Sequence, residues 1–265
     1  MNSSTRSGKS PFFFFLLVFV MSAPIIWLGY FYKLPKEIRI NLPFSALMLF
    51  VPMIAALILV FRENGMDDVK GLLKRTFDYQ RIQEKIWYLP IIFFMPLVMV
   101  LAYVLANLTG YHIPDPQVPV LLVPVYFVLF FFGAVGEELG WQGYAFEPLQ
   151  ARWNALGAGI IIGIVWAVVH IIPYLQAHHT AKWIVWQCVT TVLARVIIVW
   201  IYNNTGKSLF GAITFHAMLN VSEMLYPNYG SYYDPFFASI ILGVFAVAVI
   251  VVWGSKTLAR FRYAA

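Results

Sequence analysis

Charged residues are scarce in this chain. Its 265 residues include 18 Lys or Arg and 12 Asp or Glu, together 11%, whereas a soluble domain carries about 25%. Hydrophobic residues make up 61% of the sequence, and the mean hydropathy is +0.76. This balance excludes an ordinary soluble domain and indicates a protein that crosses the membrane several times.

Several other features are missing. Cys188 is the single cysteine, so no disulfide can form within the chain. No nucleic-acid-binding motif is visible, and we read the net charge of +6 as basic loops of a membrane protein, not as a nucleic-acid surface. No linker, low-complexity tract or internal repeat divides the sequence. We therefore predict one transmembrane domain over residues 1–265.

About eight apolar segments approach the length of roughly 20 residues that spans a bilayer. They lack the alternation of strands, so we predict helices and an all-α, polytopic membrane fold. Arg6 and Lys9 precede the first segment as in a signal peptide, but the run is long enough to span, so we expect it to stay uncleaved. The segments are 12–32, 43–61, 87–107, 118–146, 155–175, 183–203, 208–226 and 236–254.

The loop cations predict the topology. Most of the Lys and Arg residues fall in segments that share one side if both termini are cytoplasmic, which is the arrangement we expect in the cell membrane. The only long polar stretch, 66–85, has apolar residues at helical spacing among its cations. It predicts either an amphipathic helix on the inner membrane surface or a solvated basic loop.

The most informative feature is a pair of adjacent carboxylates, Glu137 and Glu138, at the end of a very apolar run. Acidic side chains inside a membrane are costly, and they usually pair or serve a function. Neighbours on a helix diverge by about 100°, so the two should have different roles. Glu138 and Gln142 are four residues apart. Nearby glycines, among them Gly133 and Gly140, suit close helix packing or room for a substrate backbone.

Other hydrophobic segments supply polar residues that could meet this pair. His216 and Asn220 are four residues apart and share a helix face, where both could donate hydrogen bonds to an oxyanion. His170 and Arg195 lie in two further segments. The structural alternatives are a hydrogen-bonded core histidine and interhelical hydrogen bonding. We read Glu223 as interfacial and the adjacent His178 and His179 as a surface pair.

These motifs together resemble the CPBP family of intramembrane proteases, which includes CAAX prenyl endopeptidases and bacterial Abi, or bacteriocin self-immunity, proteins. The resemblance covers about residues 87–226. It rests on a Glu-Glu pair, an aromatic residue four before a histidine, and a His-x-x-x-Asn motif, in that order. The residues are Glu137, Glu138, Trp166, His170, His216 and Asn220.

The resemblance implies catalytic roles for these residues. Glu137 and His170 match the residues that activate the attacking water, and His216 and Asn220 match the pair that supports the oxyanion. Glu138 matches the second glutamate, which an arginine of the motif holds. The chain departs from the pattern at Gln142, which replaces that arginine, and at Trp166, which replaces the usual phenylalanine. We predict that Arg195 supplies the missing cation.

A metal is an open question at this point. Glu137, His170 and His216 could form a zinc site, yet no HExxH motif occurs. The predicted function is an intramembrane endopeptidase that hydrolyses membrane-associated peptides or proteins with Glu/His-activated water. The alternatives are a non-catalytic, Abi-like immunity or regulatory protein, which Gln142 favours, and a transporter or channel. A prenylated peptide is one family substrate, although the compact chain looks more bacterial, where such substrates are not expected.

Overall fold

The computed structural model describes residues 10–32, 44–111, 113 and 118–259. Within these residues the chain forms nine α-helices and no strand, joined by short 3-10 turns. The predicted all-α fold is therefore confirmed. The helices are α1 (Pro11–Leu28), α2 (Val51–Asn64), α3 (Met66–Lys74), α4 (Tyr88–Leu108), α5 (Val123–Gly140), α6 (Phe146–Gln176), α7 (Ala181–Asn204), α8 (Leu209–Leu225) and α9 (Pro235–Trp253).

Every predicted apolar segment falls on one of these helices. In the described residues, six helical stretches are long and apolar enough to cross a membrane, and α8 is a shorter apolar helix. The predicted segments 118–146 and 155–175 lie within the helical stretch Val120–Gln176, which is interrupted at Asn154, where the backbone is not helical. They are therefore two helical runs, as predicted, and the protein is an integral membrane protein.

This stretch turns sharply at Asn154, which has φ 65° and ψ 176° inside α6. The side chain of Asn154 accepts a hydrogen bond from the amide of Gly157 at 2.9 Å, so it caps the second part of the helix. The amides of Ala155 and Leu156 donate to the carbonyls of Lys256 and Ser255. These bonds satisfy the amides that a helix start leaves free, and they fix the C-terminal segment against α6.

Polar side chains gather at one end of the helices, which we call the basic end (residues 62–87, 147–154, 203–208 and 254–258). Arg75 donates to the hydroxyl of Tyr202 at 2.8 Å, and Lys207 pairs with Glu147 at 3.0 Å. Asn204 donates to the carbonyl of Leu258 at 2.7 Å. The segments predicted to share one side of the membrane thus lie together. Arg6, Lys9, Arg260 and Arg262 lie outside the described residues.

The segment predicted as an amphipathic helix or a solvated loop is helical over α3. Val69 and Leu72 are buried while Lys70 and Lys74 are exposed, so the helix is amphipathic. Residues 75–87 continue as short 3-10 turns, and Ser208 donates to Asp78 within them at 2.8 Å. The helical alternative is therefore confirmed for 66–74.

Aromatic side chains gather at the opposite end, which we call the aromatic end (residues 172–186 and 226–236). The rings of Tyr174 and Trp183 meet at 5.2 Å, and the indole of Trp183 donates to the carbonyl of Tyr233 at 3.3 Å. Between the two ends, α7 packs against α6, α8 and α9, and α8 packs against α4 and α5. The candidate site lies where α5, α6, α7 and α8 meet.

Candidate active site

The two adjacent glutamates lie in the last turn of α5, and both are buried. The residues that follow, Trp141–Ala145, form a π-helix before α6 begins. Such segments are rare and frequently occur at functional sites. Residues 136 to 145 are all buried, so the packed backbone on the basic-end side of Glu137 closes that side of the site.

Close packing explains three of the four glycines in this region. A Cβ on Gly136 would approach Phe50 to 2.8 Å, one on Gly143 would approach Leu72 to 2.9 Å, and one on Gly140 would overlap the carbonyl of Pro52. These glycines let α2 and α3 pack directly against the helix that carries the glutamates. Gly133 differs, because a Cβ there would have no described neighbour within 4 Å.

Glu138 forms a buried ion pair with Arg195 of α7. The guanidinium donates to both carboxylate oxygens, with Nη1 at 2.6 Å from Oε2 and Nη2 at 2.9 Å from Oε1. Both side chains are 0% exposed. Two parallel bonds of this kind are the strongest geometry for an Arg–carboxylate pair. Arg195 thus lies beside Glu138, and that it replaces the arginine expected at the position of Gln142 stays a prediction.

Glu137 contacts three side chains on two other helices. The indole of Trp166 donates to Oε1 at 2.9 Å, and Nε2 of His170 lies 3.7 Å from the same oxygen. Nε2 of His216 lies 3.3 Å from Oε2. The His170 side chain is 22% exposed, whereas that of Glu137 is 8% exposed. This half of the site is therefore reached from the His170 side.

His216 joins the two glutamates, although they point in different directions from α5. Its Nδ1 is 2.8 Å from Oε1 of Glu138, and its Nε2 faces Glu137. Since a carboxylate only accepts hydrogen bonds, Nδ1 carries the proton and donates to Glu138. The structure thus brings Glu137, Glu138 and His216 together.

Trp166 also contacts both halves of the site. Its N–H donates to Glu137, and the guanidinium carbon of Arg195 lies 4.4 Å from its ring centroid. This distance is within the range of a cation–π interaction. A phenylalanine could stack on Arg195 but could not donate to Glu137. The change from the family's usual residue is therefore larger in chemical terms than the sequence suggested.

Among the described residues, two predicted residues form no side-chain hydrogen bond with this cluster. Gln142 is fully buried, and its side-chain amide has no hydrogen-bond partner among the described residues. Asn220 lies one turn beyond His216 on α8 and is half-buried, and no hydrogen bond to its side chain occurs among the described residues. The amide of Asn220 is therefore free to bind a ligand.

The zinc alternative finds no support in this arrangement. Among the described residues, no group of three or more His, Cys, Asp or Glu side chains is placed to hold a metal ion. His216 could still ligate a metal through Nε2, since a hydrogen bond from Nδ1 to a carboxylate is the usual arrangement of a metal-ligating histidine. It is the placement of Glu137, His170 and His216 that does not match a metal site, and no step below uses a metal.

Other polar residues lie away from the cluster. His179 stacks on Trp183 with ring centroids 3.7 Å apart, while His178 is exposed, so the two do not act as a pair. Tyr144 of the π-helix donates to Glu63 of α2 at 2.6 Å. The sequence analysis missed this bond because nothing in the local pattern relates residues 81 positions apart.

An apolar cavity of about 310 Å³ lies between α4 and α8, and it is separate from the polar cluster. Most of the residues that line the cavity are apolar, and the polar ones are Ser222 and two tyrosines. None of the site residues described above lines it. The lining residues are Pro96, Met99, Val100, Tyr103, Val118, Ser222, Leu225, Tyr226 and Pro227.

Comparisons with known proteins agree with this geometry. The family model described as type II CAAX prenyl endopeptidase Rce1-like matches residues 119–222, a segment that contains both glutamates and both histidines of the site. The CAAX prenyl protease 2 of Methanococcus maripaludis is 30% identical over 193 residues, which cover 67% of this chain and 70% of that relative. These matches confirm the resemblance to the CPBP proteases. The chain belongs to the Rce1-like family of type II CAAX prenyl endopeptidases.

Proposed function

We propose that this protein is an intramembrane endopeptidase that hydrolyses peptide bonds of membrane-associated proteins with a water activated by Glu137 and His170. The observation that supports this most directly is the 3.7 Å separation between Glu137 Oε1 and His170 Nε2. This distance is too long for a direct hydrogen bond, and it suits two groups that share a water.

The tautomer of His170 favours this role. Its Nδ1 is 2.8 Å from the carbonyl oxygen of Trp166, which can only accept, so Nδ1 carries the proton. Nε2 then presents a lone pair toward Glu137. Two acceptors in this position hold a water by both of its hydrogens and leave its oxygen free to attack a carbonyl carbon. Glu137 takes the proton as general base and later gives it to the leaving amine.

His216 and Asn220 support the reaction in different ways. His216 is 1% exposed and lies between the two glutamates. Its Nδ1 bonds Glu138 at 2.8 Å and its Nε2 lies 3.3 Å from Glu137, so it fixes the two carboxylates relative to each other. We therefore assign His216 to holding Glu137, and Asn220, whose amide is free, to donating to the oxyanion of the tetrahedral intermediate.

The non-catalytic alternative loses its main argument. A neutral Gln142 favoured an immunity or regulatory protein because Glu138 then lacked a counter-charge. Arg195 provides that charge through two short hydrogen bonds. This pairing supports a catalytic role in spite of the substitution.

The substrate class follows from the family. Since the matched family is described as CAAX prenyl endopeptidases, we propose that substrates are proteins held at the membrane near their C-terminus, with prenylated CAAX proteins as the first class to test. We also propose that the basic end faces the cytoplasm, because the described loop cations concentrate there.

The test compares membrane-associated peptides from cells that carry wild-type protein, Glu137→Gln, Glu63→Gln or a deletion. Glu137→Gln keeps the shape of the side chain and removes the base, so its turnover should fall by about 10²–10⁴. Glu63→Gln is the matched control, since that carboxylate also accepts from a neighbouring side chain but lies at the basic end. We expect one set of cleaved termini to disappear in Glu137→Gln and the deletion alone. A set of termini that persists in Glu137→Gln would contradict the proposal.

A further inference from the structure

A third acidic residue, Glu223, lies on the same face of α8 as His216 and Asn220. It follows His216 by seven residues, or two helical turns, and is partly exposed. The carboxylate of Glu223 accepts a long hydrogen bond of 3.5 Å from the side-chain amide of Gln187. The mechanism above does not use this carboxylate.

The partners of Glu223 are neutral, unlike those of the other two acids in this part of the molecule. Glu138 has Arg195, and Glu137 faces two histidines. Gln187 in turn accepts from the hydroxyl of Tyr233 at 3.0 Å, so the network around Glu223 holds no cation among the described residues. An acidic group in a helix of a membrane protein that has no counter-charge favours a cationic ligand.

Aromatic rings surround Gln187, the residue that bonds this carboxylate. The rings of Tyr174 and Trp183 meet at 5.2 Å, those of Trp183 and Tyr233 at 6.3 Å, and Tyr233 bonds Gln187. His179 stacks on Trp183, and burial lowers the pKa of His179, so this neighbour is neutral near pH 7. Aromatic faces beside a carboxylate are the usual surroundings of a bound ammonium or guanidinium group.

The aromatic cluster is continuous with the candidate active site. The ring centroids of His170 and Tyr174 are 5.8 Å apart. Along α8, seven residues correspond to about 10 Å at 1.5 Å per residue. An extended peptide covers this distance in about three residues. A side chain near the bond to be hydrolysed could thus reach Glu223.

We propose that Glu223, together with Tyr174, Trp183 and Tyr233, forms a substrate subsite for a lysine or arginine side chain about three residues from the hydrolysed bond. This inference rests on the proposed endopeptidase function. It adds a preference for basic residues that nothing in the catalytic cluster itself requires.

The test measures binding, so that it does not depend on turnover. The Glu137→Gln protein in lipid nanodiscs is titrated with fluorescent farnesylated CAAX peptides that carry lysine, glutamine or glutamate at one position, scanned over the four residues before the cysteine and the three after it. At one position we expect lysine to bind about tenfold tighter than glutamine, the effect of one charge-assisted hydrogen bond.

Two double variants decide the origin of that preference. Glu137→Gln with Glu223→Gln should reduce the lysine-to-glutamine ratio to within about twofold, while Glu137→Gln with Glu63→Gln should keep it, because one charge-assisted bond is lost only in the first. Equal ratios in both, or no lysine preference at any position, would overturn the subsite. If wild type cleaves no peptide yet the ratio depends on Glu223, the endopeptidase function fails, while binding of a basic side chain at Glu223 is supported.

Discussion

Glu137 and Glu138 are adjacent in the chain, yet their surroundings differ in every respect that matters for chemistry. Glu138 is 0% exposed and has its two oxygens fixed by Arg195. Glu137 faces two histidines and an indole, and His170 beside it is partly exposed. A carboxylate whose two oxygens are fixed by a permanent cation is a poor base, whereas Glu137, beside the partly exposed His170, can accept a proton.

The comparison shows how a helix assigns different roles to neighbouring residues. The 100° step between them points Glu137 toward α6 and Glu138 toward α7. His216 of α8 contacts both glutamates, so the structural half of the site, Glu138 with Arg195, orients the reactive half around Glu137. The predictions below test the two halves and the packing around them, beginning with the largest expected effect.

The largest effect on stability is expected from Arg195→Gln. Removal of one partner from a buried ion pair leaves the other charge uncompensated, which costs about 3–5 kcal/mol. We expect a loss of this size in the free energy of unfolding measured in detergent micelles. Arg152→Gln is the control, since Arg152 is exposed and should change stability by about 0.5 kcal/mol or less.

The double variant Arg195→Gln with Glu138→Gln sharpens this result. It removes both charges, so it should recover most of the stability that the single variant loses. A single variant as stable as wild type would show that the pair does not hold the site together.

Asn220→Ala tests the reactive half. If the Asn220 amide donates to the oxyanion, its removal should lower the turnover number by about 10²–10³. Stability should change little, because this half-buried side chain has no hydrogen bond among the described residues. Asn107→Ala on the exposed surface of α4 is the control. Wild-type turnover in Asn220→Ala would remove this residue from the mechanism.

Gly140→Ala tests the packing behind the glutamates. The new Cβ would overlap the carbonyl of Pro52, and overpacking of this kind costs about 1–3 kcal/mol. Gly133→Ala is the matched control, because its Cβ has no described neighbour within 4 Å. We expect thermal unfolding at a lower temperature for Gly140→Ala alone. Equal midpoints for the two variants would refute the packing role of Gly140.

Trp166→Phe should give the smallest effect and act on both halves at once. It removes the hydrogen bond to Glu137 and weakens the stacking on Arg195. We expect kcat/KM to fall about tenfold, which corresponds to about 1.4 kcal/mol, and stability to fall by about 1 kcal/mol. Trp153→Phe is the control, since Trp153 is exposed and its ring stacks with the surface Arg152. Activity equal to wild type would mean that the indole N–H does not position Glu137.

Much of this site could be predicted from the sequence. Apolar length identified the helices, and the cost of a buried charge identified Glu137, Glu138 and Arg195 as residues that need partners. The prediction that Arg195 pairs with Glu138 came from the resemblance, in which an arginine is expected at the position of Gln142. The other predictions concern charge balance and period, which a sequence contains directly.

The remaining features depend on contacts between distant segments. The π-helix at 141–145 lies where Gly140 meets Pro52 and Tyr144 bonds Glu63. The turn at Asn154 is completed by carbonyls about 100 positions later in the chain. The role of Trp166 depends on the direction of its N–H, which no helical period specifies. Local patterns contain none of this information.

The two adjacent glutamates are assigned different roles, Glu137 as the base and Glu138 as the buried partner of Arg195. The most direct test measures the turnover per folded molecule and the free energy of unfolding of Glu137→Gln and Glu138→Gln side by side. We predict that Glu137→Gln unfolds like wild type and loses turnover, while Glu138→Gln loses about 3–5 kcal/mol of stability and keeps measurable turnover. If both variants lose turnover equally with unchanged stability, the two carboxylates share one role and the account is wrong.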